Sequence, residues 1–82
     1  MYEEPSPENR ADILNRYDEK ERMLRSCEVI SMLAISRTSL WRYERAGMVP
    51  PGKVLGSQKY WRLSSVLHCI ETLPTDPSHL AA

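Results

Sequence analysis

The sequence predicts a small, mainly α-helical domain: a helix-turn-helix followed by a two-stranded β-hairpin and a closing helix. Three observations point there. A segment from Arg37 to Ala46 is bracketed by Ser36, which can accept a bond from an early helical N–H, and by Gly47 with Pro50-Pro51, which stop a helix. The apolar residues Val29, Ile30, Met32 and Leu33 lie just before it, separated only by Ala34-Ile35, the spacing of two helices joined by a tight turn. After Pro51 the pattern changes to two β-like runs around a glycine turn. At 82 residues the chain forms one domain with a modest core.

Taken in order, residues 1–22 are an acidic polar arm. Ser6 suits an N-cap, Pro7 the first helical position and Glu8 the positive end of the helix dipole. A helix from about Pro7 to Glu21 aligns only Ile13, Leu14 and Tyr17, a stripe too narrow to hold a helix by itself. The arm is therefore read as a solvated, partly frayed helix, with a partner or dimer contact as the alternative. The folded unit spans residues 23–73. Ser26 caps a helix from Cys27 to Leu33, and Glu28 suits its N-terminus. In the next helix Leu40 and Tyr43 face the core, while Thr38, Trp41, Arg42 and Arg45 share the opposite face. Lys53-Val54-Leu55 and Tyr60-Trp61-Arg62 read as strands around Gly56-Ser57-Gln58-Lys59, with Trp61 packing beneath the hairpin. Ser64 caps a last helix, Ser65 to Leu73, whose core side is Val66, Leu67, Cys69, Ile70 and Leu73. Residues 74–82 read as a loose tail.

The formal charge is zero, but it averages two unlike parts. Residues 1–22 carry four bases against seven acids, a net −3; the rest carries seven bases against four acids, a net +3. Between Ser36 and Arg62 six bases face one acid, Glu44, which is available for a surface ion pair. A helix face holding two guanidiniums, an indole and a hydroxyl suits a negatively charged partner with flat rings, and nucleic acid fits best. Arg42 and Arg45 can meet a guanine edge or phosphates; Arg37 suits a phosphate; Thr38 and Ser39 are short donors near the helix start. Trp41 reads equally well as a sugar or phosphate contact and as partly buried core. Lys53, Ser57, Gln58 and Lys59 cluster at a hairpin tip that can follow a phosphate ridge or enter the minor groove, and Arg62 can bridge hairpin and helix or touch a phosphate. The opposed charges of the two parts also raise the expectation that the acidic arm covers the basic face before DNA arrives.

Other functional classes find little in the residues. No general acid–base pair, activated nucleophile or phosphate-cradling loop is visible, so an enzyme is not expected. Cys27, His68, Cys69 and His79 lack zinc-ligand spacing, and both cysteines are placed on apolar faces; no metal or other cofactor is expected. No signal peptide or membrane-spanning run is read, and a reduced cytoplasmic location is the expectation.

Two stretches carry a family resemblance. Arg42-Tyr43-Glu44-Arg45-Ala46-Gly47-Met48-Val49-Pro50-Pro51 is similar to the end of the second helix in the MerR superfamily of winged helix-turn-helix proteins. Tyr60-Trp61-Arg62-Leu63-Ser64-Ser65-Val66 and Ser36-Arg37-Thr38-Ser39-Leu40-Trp41-Arg42 more closely resemble the AlpA family of prophage regulators and excisionase-like proteins. The resemblance covers roughly residues 23–71. It implies a winged helix-turn-helix that binds double-stranded DNA for a mobile element, as a transcriptional regulator, an excisionase or both. So small a basic surface makes few phosphate contacts, so adjacent copies or a partner integrase are expected on the DNA. The long dimerisation helix and effector segment of full MerR regulators are not expected here, and the resemblance does not account for the arm of residues 1–22. A protein-interaction module on the same scaffold is the competing reading.

Overall fold

The computed structural model describes residues 2–74. Four helices, α1 (Pro7–Arg16), α2 (Ser26–Leu33), α3 (Arg37–Arg45) and α4 (Leu63–Thr72), surround a sheet of three short strands, β1 (Met23–Arg25), β2 (Lys53–Leu55) and β3 (Gln58–Arg62). The sheet is antiparallel in the order β1-β3-β2, so the chain is mainly helical but has one strand more than expected. Met23-Leu24-Arg25 is too short to show a period of its own. It becomes a strand because β3 offers it a free edge, pairing Leu24 with Trp61 and Arg25 with Tyr60. Leu24 and Trp61 are both buried on the inner face of the sheet.

The core gathers Ile13, Leu24, Val29, Leu40, Val49, Trp61, Leu63, Val66, Leu67 and Cys69. Ile30, Met32, Leu33, Tyr43 and Ile70 are half-buried around it. Trp61 donates its indole N–H to the Pro50 carbonyl at 2.9 Å, which satisfies the one polar atom of a buried ring. Leu73, expected on the core side, is half exposed beyond the end of α4. Cys27, expected on an apolar face, is exposed on α2, whereas Cys69 is buried and its thiol is pushed up by that burial.

Three helices stop by the same device. After α1, α2 and α3 one residue turns left-handed: Asp18 at φ 54°, Ala34 at 56° and Gly47 at 76°. In each case the following N–H reaches back to a carbonyl in the last turn: Glu19 to Leu14, Ile35 to Ile30, Met48 to Tyr43. Only Gly47 announces this in its residue type; Asp tolerates the conformation and Ala adopts it at a cost. That is why the first helix ends at Arg16 instead of continuing towards Glu21.

The arm is part of the fold, which corrects the expectation of a solvated helix. Ser6 caps α1 as expected, accepting the Asn9 N–H at 3.2 Å, but Ile13 is only 1% exposed and α1 packs on α4. Arg10 donates to Ser64 and Ser65 at 2.8 and 2.9 Å and pairs with Glu4. Arg16 makes a bidentate contact with Glu71 at 2.7 and 2.8 Å. Two expected caps also change hands. Ser64 lies inside α4, and Glu21 takes the capping role from a distance by accepting its N–H at 3.0 Å and its hydroxyl at 2.6 Å. Ser26 lies inside α2, where Glu28 instead accepts the N–H of Arg25 at 3.2 Å.

Candidate nucleic-acid interface

The helix α3 forms where its caps dictate. Ser36 Oγ accepts the Ser39 N–H at 3.0 Å, and Gly47 ends the run two residues past Arg45. Leu40 is buried and Tyr43 half-buried, so the helix is pinned by one side. The other side presents Arg37, Thr38, Trp41, Arg42 and Arg45 to solvent. Trp41 is 54% exposed, which decides its reading against core. Its indole carries the Arg45 guanidinium 4.7 Å above the ring centroid, a contact that extends both side chains across the helix face. Ser39 is half-buried and engaged locally: its N–H donates to the Ser36 cap, and its hydroxyl accepts from Ser36 at 2.9 Å and from Arg42 at 3.5 Å.

The β2–β3 hairpin is fastened to α3 by Glu44. One carboxylate accepts the Gly52 N–H at 2.7 Å and the Lys59 ammonium at 2.8 and 3.0 Å. The only acid between Ser36 and Arg62 is thus paired and largely covered, its side chain 13% exposed. Gly52 lies flat on the Trp61 ring, so close that an added Cβ would sit 2.9 Å from Cζ2. Gly56, at φ 63°, opens the two-residue loop of the hairpin, a position where glycine meets no steric cost.

These contacts bring helix and hairpin into one concave surface. Arg37 and Trp41 face Ser57, Gln58 and Lys59 across an open cleft of about 270 Å³. Thr38, Arg42 and Arg45 do not line that cleft, and neither do Lys53 and Arg62. Both fall on the outer face of the sheet, in register with Tyr60 and Met23, and Arg62 stands roughly 13 Å along the strand from Gln58. Arg25, which residue patterns did not single out, joins the hairpin through β1 and donates to the Gln58 side chain at 2.5 Å. Finding it requires knowing that residues 23–25 are a strand.

The electrostatics follow from which charges are already paired. All three acids described between residues 23 and 74 hold a base: Glu28 holds Arg22, Glu44 holds Lys59 and Glu71 holds Arg16. Arg22 pulls the Glu28 carboxyl below its ordinary value, and Arg16 does the same to Glu71. Among the described residues Arg25, Arg37, Arg42, Arg45, Lys53 and Arg62 have no carboxylate partner. The acidic arm does not cover them; its Glu4, Asp12 and Glu21 are engaged with Arg10, Arg16 and the start of α4. No three His, Cys, Asp or Glu side chains converge among the described residues, and His79 and the tail from residue 75 lie outside them. No described helix is long and apolar enough to cross a membrane.

Comparison of the chain with protein-family models, with curated proteins and with solved structures returns no match.

Proposed function

We propose that this chain is a winged helix-turn-helix protein that binds duplex DNA, with α3 in the major groove and the β2–β3 hairpin as the wing beside it. One observation supports the reading: α3 and the hairpin share a cleft lined by Arg37, with Arg42 and Arg45 exposed on the same helix, and none of the three has an acid partner among the described residues, while the single local acid, Glu44, is held by Lys59. Such a surface suits a polyanion, because each unpaired cation can replace a condensed counterion on a phosphate. Arg42 and Arg45 meet base edges or phosphates, Arg37 and Lys53 phosphates, and Trp41 a sugar or base face. Thr38, Ser57 and Gln58 supply short polar contacts, and Lys59 contributes while held by Glu44. Arg62 stands far enough along the sheet to reach only the flanking backbone.

The AlpA-like stretches add the biological half of the proposal: a cytoplasmic, non-enzymatic regulator or excisionase of a mobile element. One module makes few phosphate contacts, so tight binding calls for adjacent copies or a partner integrase. Titrating a selected duplex between low and moderate salt tests the DNA reading. The affinity of the natural chain falls steeply with salt, and Arg42→Ala with Arg45→Ala flattens the slope by about 2, since each lost phosphate contact removes about 0.9. Salt-independent binding, or a slope untouched by both substitutions, returns the surface to the protein-interaction reading, which the exposed Trp41 would then serve.

A further inference from the structure

The most exposed large apolar side chains described are not on α3 but at the end of β2: Val54 at 69% and Leu55 at 73%. Among the described residues they belong to no part of the core, and with Met23 and Tyr60 they line an open groove. They precede the Gly56 turn, in a strand that among the described residues pairs with β3 alone. The hairpin that carries them is braced, because Glu44 holds Gly52 and Lys59, and Trp61 is anchored on Pro50. An exposed leucine on a braced tip is costly in water and rigid enough to be pushed into something.

We propose that Leu55 is a wedge that the hairpin inserts from the minor groove between two base pairs, unstacking that step and bending the duplex. The inference rests on the DNA-binding reading above and adds a mechanical role to it. The surroundings select the partner. Leu55 stands directly across from Gln58, which lines the cleft shared with α3; Lys53 lies on the same face of the sheet, and Arg25 donates to the Gln58 side chain. A cation-rimmed apolar tip fits a polyanion with a stackable interior. Side chains such as leucine, entering from the minor groove, partly unstack a base step and kink the duplex by about 20–90° towards the major groove. The easily unstacked TA and CA steps are the favoured entry points.

The test uses the full chain and a duplex selected by it from a random pool, with 2-aminopurine replacing successive adenines and a donor–acceptor pair on the duplex ends. The natural chain shortens the end-to-end distance and brightens 2-aminopurine at one step. Leu55→Ala abolishes the brightening and most of the bend, Leu55→Met restores both, and the salt dependence of binding stays the same in all three. The side chain is exposed, so thermal melting of the variants matches that of the natural chain. Leu55→Ala that leaves bend and brightening intact overturns the wedge while the DNA-binding reading stands. A change confined to sedimentation of the chain or to cooperativity assigns Leu55 to a contact between copies and also overturns it. Absence of salt-dependent binding by the natural chain removes both readings.

Discussion

On the α1–α4 side of the molecule the arginines are spoken for: Arg10 by Glu4, Ser64 and Ser65, and Arg16 by Glu71 and Asp12. On the α3–hairpin side Arg37, Arg42, Arg45 and Lys53 have no carboxylate partner among the described residues. Side chains of the same chemistry therefore do different work. Around α4 they satisfy a buried helix start and close a seam, so their value is in stability. Around α3 they are solvated, and under the proposed function their value appears when a polyanion arrives. The two regions exchange charge in one direction. Arg16 and Arg22, both from the N-terminal segment, neutralise Glu71 and Glu28, which leaves the positive excess concentrated at α3 and the hairpin.

The sharpest way to break this division is Ile13→Ala. If α1 is structural, removing a side chain 1% exposed costs about 2–5 kcal/mol in urea unfolding, while the salt slope of DNA binding by the folded fraction does not move. A near-neutral effect would return the arm to the solvent. Next comes Gly52→Ala on the other side. Its Cβ would meet the buried Trp61 ring, costing about 1–3 kcal/mol, and the shifted hairpin would weaken DNA binding beyond what stability explains. Unchanged binding would show that the hairpin and α3 act separately.

Ala34→Gly is smaller and favourable. Relief of a left-handed alanine is offset by glycine's greater freedom when unfolded, leaving a gain of about 0.5 kcal/mol, visible as a raised Tm. The weakest expected effect is that of acid. The Glu71 carboxyl is held below its ordinary value by Arg16, so its contribution is present above the unfolded value of about 4.3 and is lost as pH falls through the lowered folded value. Hydrogen exchange should then show the amides of α1 opening before those of α3 on acidification; simultaneous opening would mean the seam is not electrostatic.

Several parts of this arrangement were legible from residue types alone because their causes are local. Ser36, Gly47 and Pro50-Pro51 bound α3 whatever surrounds it, and Gly56 permits a hairpin loop by its own conformational freedom. The outward face of Arg37, Thr38, Trp41, Arg42 and Arg45 follows from helical period once Leu40 is taken as core. Trp41 was ambiguous until its exposure was seen, since an indole suits core and surface equally.

What tertiary structure decided depends on partners distant in the chain. Met23–Arg25 is a strand only because β3 lies beside it, Glu21 caps α4 only because the arm folds back, and Ile13 is core only because α4 receives it. Residue type and spacing settle where a helix can start, stop and show its charge. Which of those charges remain unpaired is settled by side chains that meet from opposite ends of the chain, because an ion pair is a property of distance in space.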